Sequence, residues 1–180
     1  MEWLTDAKIP VGRSAKAVFD WLQTHGGWFF DGLAVAMEWL IDALLWVLQT
    51  PPPLVVVLAI VAFTYAMQRN WKTALFVFAG FLFILNQGYW EETTESLTLV
   101  LSACVVCMAV GVPIGIGAAH RPRLYQFMRP VLDLMQTLPT FVYLIPAIVF
   151  FGIGMVPGLI ATVIFVVPAP IRLTHLGVSS

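Results

Sequence analysis

The chain has 180 residues, of which 60% are hydrophobic and only 11% are charged, and its formal net charge is −1. Soluble domains carry about 25% charged residues, so this composition excludes an ordinary soluble protein and favours a protein embedded in lipid. The nearly neutral charge gives no basic surface for a nucleic-acid partner.

The first 50 residues are more polar than the rest and hold nine of the 19 charged side chains. They lack the basic start and unbroken apolar core of a signal peptide. Asp31, Glu38, Asp42 and Gln49 fall on one stripe about 40° wide if residues 28–49 form a helix. We therefore predict an extracytoplasmic segment, residues 1–50, whose amphipathic helix lies in the membrane interface with these acidic side chains exposed to water. The alternative is a sixth membrane span with its acidic stripe packed against protein.

Residues 51–180 are predicted to form a membrane domain, because they contain five apolar segments that suit spanning helices of about 20 residues. The predicted fold is an all-α integral membrane protein with about five transmembrane helices after the interfacial helix. The five spans are predicted at 52–67, 71–85, 96–119, within 130–152 and within 156–171.

Charges in the connections between these spans predict the orientation. Arg69 and Lys72 follow the first span, and three glutamates, Glu91, Glu92 and Glu95, follow the second. Further basic residues follow the third and fifth spans: His120, Arg121, Arg123, Arg129, Arg172 and His175. The basic connections all fall on one side, which is cytoplasmic by the positive-inside rule. The N-terminus is then outside and the C-terminus inside.

The fourth span contains a polar stretch at residues 132–146. A helix starting at Pro139 would be only about 21 Å long at Gly152, whereas one starting at Pro130 would be about 34 Å long. We therefore predict that the polar stretch is the cytoplasmic half of one membrane helix. Asp133, Gln136, Thr137 and Thr140 would share one face of it. That face indicates either the wall of a translocation path or a subunit seam; the alternative is ordinary packing between helices.

Prolines are predicted to kink several spans, since each removes a backbone hydrogen bond. The predicted kink positions are Pro113, Pro139, Pro146 and Pro157. Glycines near two of them, such as Gly111 and Gly115, allow neighbouring helices to approach closely.

Enzyme chemistry has no support in the sequence. Cys104 and Cys107 lie in an apolar run without a second cysteine pair, which indicates packing residues. The three histidines show no metal-ligand spacing. A Gly-rich phosphate loop ending in Lys-Ser or Lys-Thr is missing, so we expect this chain to bind no ATP by that route and no metal or other cofactor.

The run DLMQTLPTFVYLIPAIVFFGIG, followed by VPGLIATVIFVVPAPIRLTHLGV, resembles the permease subunits of binding-protein-dependent ABC importers. The branch that serves glycine betaine, proline betaine and choline is the most similar. The resemblance covers residues 90–180 strongly and the earlier part in general character. In that family a cytoplasmic loop beginning Glu-Ala-Ala, which docks on the ATPase, follows a segment like IRLTHLGV. The chain stops where that loop would begin, so it is expected to be the N-terminal part of a permease.

The resemblance implies a permease subunit of the bacterial inner membrane that imports a quaternary-ammonium osmolyte by alternating access. It also implies a second permease subunit, as a homodimer, a periplasmic substrate-binding protein, and ABC ATPase subunits that bind the ATP. Two other functions stay open at this point. One is a secondary transporter, which would show broken helices in both halves, and the other is a non-transporting scaffold or truncated remnant.

Overall fold

The protein is described here by a computed structural model that covers residues 11–179, and every regular element in that range is an α-helix. The helices in chain order are α1 Val11–Gln49, α2 Pro53–Gln68, α3 Trp71–Gln87, α4 Trp90–Ala119, α5 Pro122–Thr137, α6 Phe141–Phe151, α7 Met155–Val166 and α8 Pro168–Ser179.

Two stretches of the described chain are each long and apolar enough to cross a membrane, α4 and the continuous segment Met155–Ser179. The second comprises α7 and α8, which are joined through Val167 in a helical conformation. Its amide donates to the Val163 carbonyl at 2.8 Å, and its carbonyl accepts from Ile171 at 3.3 Å. The third and fifth predicted spans therefore coincide with helices that are long and apolar enough to span, and the helical segment at the fifth continues beyond Ile171.

Two further pairs of helices have the length and the low polarity of a membrane span only when each pair is taken together, and each pair is sharply bent. Thr24–Gln49 of α1 and α2 meet at 97°, and α5 and α6 meet at 91°. Helix α3 is a shorter apolar helix of 17 residues. The expected all-α fold, with helices long and apolar enough to span a membrane, is confirmed for the described residues. The number of spans and the interfacial placement of residues 28–49 stay predictions.

The fourth predicted span is not one helix. Helix α5 ends at Thr137, and α6 begins at Phe141 in a direction 91° away. The prediction of a continuous helix over residues 130–152 was therefore wrong. Its length argument assumed that the segment must cross the membrane in a straight line. With only 11 residues, α6 is about 17 Å long and cannot cross by itself.

The closest helix packing is between α4 and α8, which lie along each other. A Cβ atom built on Gly111 would lie 2.8 Å from Pro170 Cγ. One built on Gly115 would lie 2.7 Å from both the Ile171 carbonyl oxygen and Thr174 Cβ. Only glycine fits these positions, so the two glycines set the distance between α4 and α8.

Two buried clusters form the core around this pair. One joins α1 to α4 and α7, through Met37, Ile41, Ala103, Val156 and Leu159. The other joins α4 to α5 and to the α7–α8 segment, through Cys107, Leu132, Val167 and Ile171. Helices α2 and α3 pack chiefly against each other. The structure is thus a bundle around α4, with the α2–α3 hairpin at its side.

Replacing Gly115 with Ala is expected to destabilise the protein, because the new methyl group would meet the backbone of α8. Overpacking of this kind costs about 1–3 kcal/mol. The matched control is Gly117→Ala, since a Cβ at Gly117 meets nothing within 4 Å. Thermal unfolding in detergent should show a lower midpoint for Gly115→Ala and an equal or higher one for Gly117→Ala. Equal midpoints for the two variants would contradict the close packing of α4 and α8.

Candidate functional site

The break between α5 and α6 follows from its local sequence. Leu138 is extended, with ψ 137°, as expected for a residue that precedes proline. Pro139 has no amide hydrogen to continue the ladder of α5. Its carbonyl instead starts α6 by accepting from Val142 at 2.9 Å. Pro139, predicted as a kink, thus lies at a complete change of helix direction.

The bend is braced by Tyr143, a residue of the first turn of α6. Its hydroxyl lies 3.2 Å from the Met135 carbonyl oxygen and 3.3 Å from that of Leu134, and donates to these acceptors. Carbonyls in the last turn of a helix have no partner within that helix. Tyr143 therefore satisfies the end of α5 and fixes α6 relative to it. Sequence analysis missed this role, although the tyrosine stands four residues after Pro139.

The four polar residues predicted to share one face are divided by the break. Asp133, Gln136 and Thr137 lie in the last turns of α5, and Thr140 lies in the break as the N-cap residue of α6. All four are exposed. Thr137 uses its hydroxyl locally, donating to the Leu134 carbonyl at 3.2 Å. The structure therefore groups these residues around the bend rather than along a straight stripe.

Asp133 is not free, because it pairs with Arg172 of α8. The carboxylate Oδ1 and the guanidinium Nη2 are 2.5 Å apart, while the buried Arg172 Nε has no hydrogen-bond partner within residues 11–179. A second contact joins the same helices, since the rings of Tyr125 and His175 stack with centroids 3.6 Å apart. These contacts attach α5 to the α7–α8 span. Sequence analysis treated Arg172 and His175 only as topology signals.

A cleft of about 230 Å³ opens at the start of α6, between α6 and α7. Thr140 and Thr162 supply its hydroxyl groups, and Thr162 donates its proton to the Gly158 carbonyl at 2.8 Å. The cleft is lined by Thr140, Phe141, Leu144, Gly158, Ala161 and Thr162. It offers hydroxyl oxygens on an otherwise apolar surface, directly beside the bend.

A second cleft, of about 310 Å³, lies at the other end of α6. Glu38 and Asp42 of α1 border it, facing Phe151 and the α6–α7 turn. That turn includes Gly152 at φ +77°, a conformation that favours glycine. Glu38 and Asp42, two residues of the predicted acidic stripe of α1, thus lie beside the C-terminal end of α6.

The other three prolines predicted as kinks lie inside a helix or at the start of one. Helix α4 continues through Pro113, and α6 continues through Pro146. Pro157 lies in the first turn of α7, where a missing amide hydrogen breaks no hydrogen bond within the helix. Pro157 is therefore part of a helix start rather than a kink.

Helix α4 also carries a buried row of hydroxyl groups that sequence analysis did not single out. Thr94, Thr98 and Ser102 recur at every fourth residue and are almost completely buried. Gln49 of α1 donates to the Thr94 hydroxyl at 2.8 Å. The hydroxyls of Thr98 and Ser102 have no partner among the described residues. Their spacing of four was the signal that could have revealed the row.

Residues 111–180 match the family described as binding-protein-dependent transport system inner membrane component. The matched region extends from the last turns of α4 to the end of the chain, so it includes the bend, the Asp133–Arg172 pair and the cleft at Thr140. This part of the chain is therefore similar to members of that family.

Relatives of this permease family match almost the whole chain. The glycine betaine/carnitine transport permease protein GbuB of Listeria monocytogenes is 39% identical over 94% of this chain and 61% of its own length. The glycine betaine transport system permease protein OpuAB of Bacillus subtilis is 39% identical over 95% of this chain and 60% of its own. The glycine betaine/proline betaine transport system permease protein ProW of Escherichia coli is 35% identical over 95% of this chain and 48% of its own length. The chain thus spans about 60% or less of each relative.

Replacing Tyr143 with Phe is expected to loosen the bend, because the Met135 carbonyl near the end of α5 loses its hydroxyl donor. The loss should be about 1 kcal/mol, the net value of one hydrogen bond. Amide hydrogen exchange should rise at residues 136–144 and stay unchanged in α4. Tyr65→Phe is the control, since Tyr65 is exposed on α2 and its hydroxyl makes no hydrogen bond in the described structure. Unchanged exchange around the bend in Tyr143→Phe would show that the hydroxyl does not brace it.

Proposed function

We propose that this chain forms part of the translocation path of an ATP-driven importer for a quaternary-ammonium osmolyte, such as glycine betaine, proline betaine or choline. The observation that carries the proposal is the broken helix pair α5–α6, which lies within the family-matched residues and places polar groups at the bend. The names of the relatives supply the solute class, since the three relatives above are glycine betaine permeases.

The proposed path passes the bend between α5 and α6. Non-helical backbone at membrane depth is tolerated where it is buried in protein or lines a water-filled cavity. Gln136, Thr137 and Thr140 are exposed at this bend, and the hydroxyl-bearing cleft opens beside it. In this proposal they offer hydrogen bonds to a passing polar solute, while Asp133 holds α5 to α8 rather than contacting the solute. The chain contributes a change of conformation and no covalent chemistry, so it is not an enzyme.

The importer would contain three kinds of partner. The family description supports a substrate-binding protein, which delivers the solute from outside the inner membrane. ABC ATPase subunits would bind the ATP and act from the cytoplasmic face. A second permease subunit, as a homodimer, would complete the path. We propose no nucleic-acid partner and no cofactor within this chain.

The proposed topology has an extracytoplasmic N-terminal segment, residues 1–50, and a membrane domain, residues 51–180, with about five spans. Asp31, Glu38 and Asp42 are exposed on α1, which supports an interfacial rather than a spanning position for that helix. The basic cluster Arg121, Arg123 and Arg129 at the start of α5 would be cytoplasmic. The C-terminus would then be cytoplasmic too.

Replacing Gln136 with Leu should lower ATP-dependent uptake of glycine betaine without reducing the amount of protein in the membrane. Loss of one polar contact in the rate-limiting step corresponds to roughly a tenfold lower rate. The measurement is uptake of radiolabelled glycine betaine in membrane vesicles that contain the subunit, its ATPase and its binding protein. Gln126→Leu is the matched control, because Gln126 is exposed on the same helix but three turns from the bend. Equal uptake by the two variants would contradict a path at the bend.

The topology is tested by reporter fusions. A reporter inserted between Arg121 and Arg123 should be active only in the cytoplasm, because it follows a cluster of positive charge. A reporter inserted beside Glu91 should be active only outside. The reverse pattern would overturn the proposed orientation while leaving the bend in place.

A further inference from the structure

Helix α5 has three distinct faces. Met128, Leu132 and Met135 form the packed face, which is in contact with α4 and α8. A polar face carries Gln126, Arg129, Asp133 and Gln136. The third face is a row of apolar side chains that remain uncovered, which we call the α5 strip. It consists of Leu124, Phe127, Val131 and Leu134, exposed by 39%, 77%, 49% and 58%.

The α5 strip continues into an apolar groove of about 340 Å³. Phe127 and Val131 form one side of the groove, and Val110 and Ile114 of α4 form the other. Since α4 is long and apolar enough to span a membrane, a groove along α4 would open towards lipid once the helix is embedded. Its size and wholly apolar lining suit a hydrocarbon chain.

The start of α5 carries unpaired positive charge. Arg121, Arg123 and Arg129 are exposed, and within residues 11–179 the ion pair that forms is Asp133–Arg172. Arg123 lies about 20° around the helix from Leu134, and therefore directly beside the strip. Arg129 lies on the far side of the polar face. The strip thus has guanidinium groups at one end and along one edge.

The direction of α5 relative to α6 fits a helix that lies along a membrane surface. The two helices meet at 91°, so α5 runs nearly parallel to the surface if α6 enters the bilayer. An apolar strip bordered by arginine is typical of interfacial helices, which bind anionic lipid through both features.

We propose that α5 lies in the cytoplasmic membrane interface and binds an anionic phospholipid. The α5 strip and its groove would hold an acyl chain, while Arg121 and Arg123 would contact the phosphate. Charge complementarity favours this occupant over a second copy of the chain. In a symmetric dimer the same patch meets itself, so the second copy's patch would offer these arginines no negatively charged partner. The proposal depends on membrane embedding and not on which solute is carried.

The test is photo-cross-linking in vesicles that contain phosphatidylglycerol and phosphatidylcholine in equal amounts. The full chain would carry p-benzoyl-L-phenylalanine in place of Phe127, and the adducts would be identified by mass. The control places the same group at Phe76 of α3, which is 79% exposed against 77% for Phe127. We expect phosphatidylglycerol to exceed phosphatidylcholine about fivefold at Phe127 and to equal it at Phe76.

Arginine variants then test the headgroup contact. Combining Arg121→Gln with Arg123→Gln should remove the preference for phosphatidylglycerol at Phe127, and Arg129→Gln should leave it intact. Equal lipid shares at Phe127, or adducts with protein in place of lipid, would overturn the proposal. A preference that persists in the double variant would overturn the assignment of the phosphate to these arginines.

Discussion

The missing amide hydrogen of Pro139, together with extended Leu138, is the constraint on which the rest of the arrangement depends. It ends α5 before the chain can complete a straight span and sends α6 off at 91°. A helix end inside a membrane protein must find other partners for its carbonyls. Tyr143 supplies one of these partners, so the bend is held by a specific hydrogen bond across the break.

Fixed packing surrounds this bend. Gly111 and Gly115 bring α4 and α8 together at a distance that excludes any side chain, and α8 in turn holds α5 through Arg172 and His175. Helix α6 is short and contacts mainly α7. Movement of this short segment relative to α5 requires the Tyr143 hydrogen bonds to break, whereas the closely packed pair α4–α8 can stay in place. The proposed part of this chain in a translocation path relies on such a movement of α6.

Much of the helical content and the resemblance to the permease family could be predicted from sequence, because apolar length and the motif run at residues 133–178 are local properties. The bend could not, since a proline between two apolar segments is compatible with either a kink or a complete break. Asp133 illustrates the same limit. Its periodicity suggested a path residue, but its partner Arg172 is 39 positions away and only the fold brings them together. The hydroxyls of Thr98 and Ser102 were overlooked because each is an ordinary residue in an apolar helix.

The most direct test of the central claim is the access of water to the bend. A Thr140→Cys variant, with Cys104 and Cys107 replaced by Ser, would be assembled with the proposed ATPase and binding-protein partners and treated with a membrane-impermeant thiol reagent. The account predicts rapid labelling that slows when glycine betaine and ATP are supplied together. Phe76→Cys in the same background gives the rate for a lipid-facing position. Labelling of Thr140→Cys no faster than that rate, with or without solute, would contradict a path at the bend.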